Sequence, residues 1–203
     1  MKKRYNQVYQ FKITLKHIEP DIWRVIQVPE TYTFYDFHVA IQDAMGWVDY
    51  HLHEFVVKDP LTGKKIKIGI PTEEEFFTEE TIPGWKVMIA DCFSKRNKKA
   101  DYTYDFGDDW QHVIKLEKIL PKDKEHTYPR CVAGERACPP EDCGSIPGYE
   151  DIVDMLKNPD PENEEYKSTM KWLGGSYNPE YFDCSEVFFD DPEERLKEFL
   201  DFH

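Results

Sequence analysis

Apolar and polar side chains alternate in one short stretch near the start of the chain, and a second, mainly apolar stretch follows it. In the first stretch the apolar residues are every second one: Tyr9, Phe11, Ile13 and Leu15. A period of two predicts a strand with one buried face. The second stretch, Ile22 to Val28, follows a short turn and ends at Pro29. Together they predict a β-hairpin.

After Pro29 the apolar spacing becomes helical. Thr33 and Asp36 fit a capping box at a helix start, and Gly46 is a typical helix terminator. Two more strands are predicted at His51–Val57 and Ile66–Ile70. The order strand–strand–helix–strand–strand predicts an α+β fold whose sheet is β-grasp-like.

A further hairpin is predicted between Tyr102 and Glu117, because the turn signal Gly107–Asp108 separates two apolar runs. This register pairs Asp105 with Trp110 and Thr103 with His112. It places Asp105, Trp110 and His112 on one face of the sheet, and Tyr102, Tyr104 and Phe106 on the other. Asp105 and His112 then become diagonal neighbours.

The remaining segments are predicted to be loops and helices. Residues 71–83 are acidic and predict a loop, and Trp85–Ile89 fits either a short strand or a helical turn. Helical patterns begin at Glu150, around Tyr166 and at Pro192. We expect a single domain over residues 1–203, in which 1–120 is sheet-rich with one helix, 121–148 is a Cys/Pro/Gly loop and 149–203 is helical.

Composition and charge narrow the class of protein. Hydrophobic residues make up 40% of the 203 residues, which argues against disorder, and no apolar run is long enough to span a membrane. No signal-peptide core is present near the start, so we expect a cytoplasmic protein.

Net charge is +1 over residues 1–100 and −15 over residues 101–203, which disfavours a broad nucleic-acid interface. The basic segment Lys95–Lys99 is a candidate for a small patch that contacts phosphate.

Four stretches of the sequence are characteristic of one known family. They are IWRVIQVPE (22–30), AMGWVDYHLHEF (44–55), YDFGDDWQH (104–112) and CVAGERACPPEDCGSIPGY (131–149). On these motifs the chain resembles the plasmid pRiA4b ORF-three-like family. The resemblance implies an accessory protein of plasmids or insertion elements, without an established biochemical activity.

Three groups of residues are candidates for chemistry. His51 and His53 lie on one side of a predicted strand, as metal ligands or as structural side chains. The predicted neighbours Asp105 and His112 form either an oriented histidine or a satisfied polar pair. Glu141 and Asp142 could bind a divalent cation or cap backbone amides. Asp108 and Asp109 fit a turn better than a cation site.

The five cysteines predict reduced thiols or metal ligands rather than disulfides, because their number is odd and the chain is long. Cys138 and Cys143 are separated by four residues, at the edge of the spacing found in zinc sites. Packing of these thiols as small apolar groups is the alternative. If these residues bind a metal, we expect one divalent ion, with zinc as the candidate. Its ligands would come from His53, Asp105, His112, Cys138 and Cys143.

No catalytic motif of a known class is present, so the leading hypothesis is a non-enzymatic module that binds a protein or nucleoprotein partner. The candidate patch for that partner comprises His51, His53, Asp105, Asp108, Trp110, His112, Glu141 and Asp142. The alternative is a metal-dependent hydrolase or nuclease that uses a His/Asp/Cys site. Direct binding of DNA through Lys95–Lys99 is a third and weaker hypothesis, disfavoured by the net charge.

Overall fold

The computed structural model describes residues 4–71 and 81–202. Within them, eight strands form one sheet and five α-helices accompany it. The strands are β1 (Gln7–Leu15), β2 (Trp23–Pro29), β3 (His53–Lys58), β4 (Lys65–Gly69), β5 (Ile82–Pro83), β6 (Lys99–Tyr104), β7 (Trp110–Pro121) and β8 (Arg130–Glu135). The helices are α1 (Phe34–Met45), α2 (Ile89–Cys92), α3 (Ser145–Lys157), α4 (Glu164–Trp172) and α5 (Pro192–Phe202).

The sheet order is β5-β4-β3-β6-β7-β1-β2-β8, and all pairs are antiparallel except β4 with β5. The predicted α+β class and the predicted order of the first five elements are confirmed. The two strands of the later hairpin, β6 and β7, lie between β1 and β3. The finer β-grasp-like description is not confirmed.

Helix α1 packs on the sheet and contributes Phe34 and Phe37 to the aromatic core. It begins at the predicted capping box, in which Thr33 and Asp36 bond each other's backbone N–H groups, and ends at Gly46 with a φ of 90°. Phe37 of α1 contacts Phe11 of β1, with ring centroids 4.5 Å apart, and Phe34 contacts Phe55 of β3 at 5.1 Å. These aromatic pairs fix the helix above the strands that lead to the loops described below.

The register of the β6–β7 hairpin differs from the prediction by one residue. Tyr104 pairs with Trp110 and Tyr102 with His112, so the connection has five residues, 105–109, rather than two. Asp105 and Asp109 both have a φ of 55°, which closes a longer loop than a two-residue turn. The predicted faces were therefore wrong, because Tyr102, Tyr104, Trp110 and His112 all point into the core.

Other predicted boundaries also change. The loop predicted over 121–148 contains strand β8, which pairs with β2, and α3 begins at Ser145 rather than Glu150. In the predicted 71–83 loop, Ile82–Pro83 form β5, whereas residues 72–80 lie outside the described residues. Residues 84–86 form a 3-10 turn. No described helix has the length and apolar character that crossing a bilayer would need.

Candidate functional site: a His–Asp group where three loops meet

Three loops meet at one end of the sheet, where the ends of the neighbouring strands β3, β6 and β7 coincide and the segment after β8 forms hydrogen bonds to their loops. These are the α1–β3 loop (46–52), the β6–β7 loop (105–109) and the segment after β8 (136–144). The Asp105 N–H donates to the Leu52 carbonyl at 2.9 Å, and Trp47 Nε1 donates to the Pro139 carbonyl at 3.0 Å. Each loop carries one of the sequence motifs, so the motifs converge in space.

His51, Asp105 and Asp142 lie together at this meeting point, one from each loop. His51 Nε2 is 2.9 Å from Asp142 Oδ1 and 3.7 Å from Asp105 Oδ2. The side chains of His51, Asp105 and Asp142 are 31%, 10% and 64% exposed. The group is therefore anchored on the protein side and open to solvent on the other.

The backbone at this end of the sheet is unusual. Asp49, Asp105, Asp109 and Asp142 have φ values of 62°, 55°, 55° and 58°. Aspartate tolerates this left-handed conformation better than most residues, but at some cost in energy. Sparsely populated backbone conformations cluster at functional sites, and here they occur in all three loops.

Buried polar groups hold the loops in place. The Tyr104 hydroxyl donates to Glu141 Oε1 and accepts from the Tyr50 N–H at 3.1 Å. Glu141 Oε2 accepts from the Val48 N–H at 2.8 Å. Burial, reinforced by the Glu141 carboxylate, raises the pKa of Tyr104, so its hydroxyl remains a donor. Glu141, predicted either to bind a cation or to cap backbone amides, bonds the amide of another loop.

A second group, His38, Asp49 and His53, lies in the interior beside the first. His38 Nε2 is 2.7 Å from Asp49 Oδ1, and His38 Nδ1 is 2.8 Å from the Tyr102 hydroxyl. Asp49 Oδ2 accepts from Arg195 of α5 at 2.9 Å. The atoms that could bind an ion are thus largely engaged with protein groups. The sequence patterns pointed to His53 but not to His38 or Asp49. His38 stands among the apolar positions of α1, which was the only available signal.

His53 stacks face to face on His38, with ring centroids 3.4 Å apart and planes inclined by 10°. Neither ring nitrogen of His53 has a hydrogen-bond partner among the described residues. Burial, and then electrostatic repulsion from the neighbouring His38 ring, hold the pKa of His53 well below its usual range. His53 is therefore a neutral side chain of the core.

His112 and Trp110 are also buried, on the face of the sheet covered by α1. The His112 ring lies 5.5 Å from Trp47 and 5.2 Å from Tyr102, measured between centroids. Burial lowers the pKa of His112 to about 3, and backbone groups of Tyr102 and Trp110 offset part of that shift. The predicted neighbourhood of Asp105 and His112 was wrong, since the true register places Asp105 in the loop.

Asp108 connects the β6–β7 loop to the start of α3. Its carbonyl accepts from Ser145 Oγ at 2.7 Å, and its Oδ2 accepts from the Gly144 N–H at 3.2 Å. These bonds agree with the prediction that Asp108 and Asp109 shape the loop. Asp109 Oδ2 accepts from Gln111 Nε2 at 2.7 Å.

All five cysteines are free thiols. Burial raises the pKa of Cys138, and it raises the pKa of Cys131 to about 11 and that of Cys143 to about 12. Protonated thiols pack as small apolar groups and are weak nucleophiles. The five residues expected around one ion are divided: His53 belongs to the inner group and Asp105 to the exposed one, and His112, Cys138 and Cys143 belong to neither.

Comparison with known proteins finds a family model, a protein sequence and a solved structure that are similar to this chain. The model of the family described as "Plasmid pRiA4b ORF-3-like protein" matches residues 7–186. The uncharacterized protein y4hQ of Sinorhizobium fredii (strain NBRC 101917 / NGR234) is 34% identical over 170 residues, covering 83% of this chain and 82% of that protein. The crystal structure of MM3350, a protein of unknown function from Methanosarcina mazei Go1, is similar with a TM-score of 0.82 and 48% identity, covering 92% of this chain and 100% of that one.

Proposed function

The chain belongs to the plasmid pRiA4b ORF-3-like family, as its motifs predicted, and from that premise we propose that it is a non-enzymatic binding module. Its binding surface is the end of the sheet where the three loops meet. The partner is a protein segment that combines basic and apolar side chains. The module acts in the cytoplasm as an accessory protein of a plasmid or insertion element.

The observation that carries this proposal is a rim of exposed apolar side chains around the His–Asp group. Tyr50 is 78% and Phe106 is 55% exposed, and Val48 and Leu52 stand in the same loop as Tyr50. Rigid aromatic side chains at the centre of an interface contribute much of its binding energy. The backbone bond between Asp105 and Leu52 keeps the two parts of the rim together.

Charge supports a basic partner. The loops that meet here carry the carboxylates of Asp105, Asp108, Asp109, Glu141 and Asp142. Such a surface attracts Lys and Arg side chains and repels the phosphates of nucleic acid. A nucleoprotein partner would therefore be contacted through its protein. Direct DNA contact through the Lys95–Lys99 turn is the third hypothesis. It is rejected if reversing the charges of this turn changes neither the affinity for DNA nor the salt dependence of that affinity.

The test is selection from a random peptide library displayed on phage. The intact protein should enrich peptides that place Lys or Arg beside aromatic or aliphatic residues. The double substitution Tyr50→Ala and Phe106→Ala should abolish the enrichment. Leu61→Ala is the matched control, because Leu61 is 95% exposed and lies in the β3–β4 turn. Failure to enrich such peptides, or equal enrichment by the double variant, would reject the proposal.

A metal-dependent hydrolase or nuclease is the second candidate function. One observation favours it, the convergence of one imidazole and two carboxylates on a half-open surface. Metal-activated water at such a group would attack a phosphoester. The purified protein should then hydrolyse an aryl phosphate or a single-stranded oligonucleotide when loaded with Zn²⁺ or Mn²⁺. Hydrolysis that survives Asp142→Asn would come from elsewhere and would reject this candidate.

A further inference from the structure

We propose that His51, Asp105 and Asp142 form a binding site for a single divalent transition-metal ion, for which Zn²⁺ is the appropriate test ion. The site deepens the second candidate function, but it is equally compatible with a binding module that uses the ion to order its loops.

The separations between the three ligand atoms fit one ion. His51 Nε2 lies 2.9 Å from Asp142 Oδ1 and 3.7 Å from Asp105 Oδ2, and all three atoms lie within 4.8 Å of one another. Ligands at about 2.0–2.2 Å from tetrahedral zinc are about 3.3–3.6 Å apart. Small side-chain adjustments would therefore place the three atoms around one ion.

The donor set selects the class of ion. One imidazole nitrogen with two carboxylate oxygens suits Zn²⁺ or Mn²⁺, whereas Mg²⁺ and Ca²⁺ prefer oxygen ligands alone. Three protein ligands leave a fourth position, as in catalytic zinc sites. The solvent-facing side of the group, where Asp142 is 64% exposed, offers that position to water or to a ligand.

The ligands are pre-organised by neighbours that do not themselves bind the ion. Asp105 Oδ1 accepts from the Gly107 N–H at 2.9 Å, which leaves Oδ2 directed at His51. Asp142 follows Glu141, whose carboxylate bonds Tyr104 and the Val48 N–H. Partners that orient the ligands in this way are typical of metal centres.

The inner group of His38, Asp49 and His53 is a poorer ion site, although its atoms are equally close. Both ring nitrogens of His38 already face protein groups, Tyr102 and Asp49. Asp49 is further neutralised by Arg195. An ion there would have to break these contacts and displace the Arg195 guanidinium. An ion at the outer group, which is His51, Asp105 and Asp142, replaces only the contacts between His51 and the two carboxylates.

Zinc binding at the outer group requires the lone pair of His51 Nε2. The Nε2 atom, which faces Asp142 Oδ1 in the metal-free protein, must then carry no proton. A metal that competes with protons binds more weakly as the pH falls. We therefore expect the zinc affinity to decrease in acid.

Isothermal titration of the full chain with ZnCl₂ tests the site. One equivalent should bind, and His51→Gln, Asp105→Asn and Asp142→Asn should each weaken binding more than about 10-fold. Asp109→Asn is the matched control, because Asp109 lies in the same loop and bonds Gln111. It should bind zinc as the parent protein does. Equal circular dichroism spectra of all variants would verify that they are folded.

Co²⁺ substitution separates this site from the thiols. A cobalt complex with ligands from imidazole and carboxylates has visible d–d bands and no thiolate-to-metal charge-transfer band. Absence of stoichiometric binding, loss of binding in Cys138→Ser or Cys143→Ser alone, or a strong charge-transfer band would overturn the proposal. Peptide selection and zinc titration are separate measurements, so each can fail without the other.

Discussion

The buried imidazole of His112 makes stability depend on pH in a way that one substitution should remove. The pKa of His112 in the folded protein is about 3, because burial disfavours the charged ring. In the unfolded chain an ordinary histidine has a pKa of about 6.5. The unfolded state therefore takes up a proton in mild acid while the folded state does not, and the stability falls as the pH drops below about 6.5.

The size of this effect follows from the two pKa values. Between pH 7.5 and 5.5, this one group should cost the folded state about 1.4 kcal/mol. His53, whose pKa is also lowered, adds to the loss in the parent protein. The lower pH is chosen above the isoelectric point of 4.9 so that the protein stays soluble.

The assay is urea unfolding of the parent protein, His112→Leu and His126→Leu at both pH values. Leucine has a similar volume and cannot take up a proton, so His112→Leu should lose about 1.4 kcal/mol less than the parent between pH 7.5 and 5.5. His126 is exposed, and its variant should keep the parental loss. An equal loss in the parent protein and His112→Leu would refute the reasoning.

Three further substitutions test the supports of the fold and the site. Arg195→Ala removes the ion pair with Asp49 and should lower the free energy of unfolding by about 1–3 kcal/mol in urea titrations, with partial recovery in Arg195→Lys. Gly148→Ala would place a Cβ against the Cys143 carbonyl, so it should cost about 1–3 kcal/mol and weaken zinc binding by titration. Thr33→Ala breaks the capping box and should cost about 1 kcal/mol by thermal or urea unfolding.

Helix α1 could be predicted closely because its ends are set by local chemistry. Thr33, Asp36 and Gly46 act within a few residues of one another, so the sequence contains the whole signal. The ends of β1 and β2 are also set by local patterns, namely the alternation of Tyr9, Phe11, Ile13 and Leu15 in β1 and the apolar run that Pro29 ends in β2. Their observed bounds differ from the predicted ones by one or two residues.

The β6–β7 register could not be predicted from the sequence, because residues 105–109 are compatible both with a two-residue turn at Gly107–Asp108 and with the observed five-residue loop. Gly107–Asp108 is a good two-residue turn, but Asp105 adopts a positive φ and bonds the Leu52 carbonyl and the Gly107 N–H instead. The partner at Leu52 is distant in sequence. One residue of shift then moved Tyr102 and Tyr104 into the core beside His112.

Strand β8 was missed because a glycine weakens its pattern. Gly134 lies where any Cβ would overlap the Phe182 ring, which in turn stacks on the Arg24 guanidinium at 3.6 Å. A glycine inside a strand marks such a close approach, but the approaching group is 48 residues away in sequence. Tertiary contacts of this kind leave no local signal.

The candidate site was partly predictable. The motifs named His51, Asp105 and Asp142, and hydrogen bonds of Asp108 join the β6–β7 loop to Gly144 and Ser145. Their grouping required the strand order and the true register. Arg195 could not be anticipated, because it lies in α5, beyond the residues 7–186 that the family model matches.

The central claim is that the three motif loops build one ligand site at the end of the sheet. Anomalous X-ray diffraction at the zinc edge, from crystals of the full chain grown with ZnCl₂, tests it most directly. We expect a single strong peak about 2.0–2.2 Å from His51 Nε2 and from carboxylate oxygens of Asp105 and Asp142. A peak at the buried His38–His53 pair or at the cysteines, with none at His51, would contradict it.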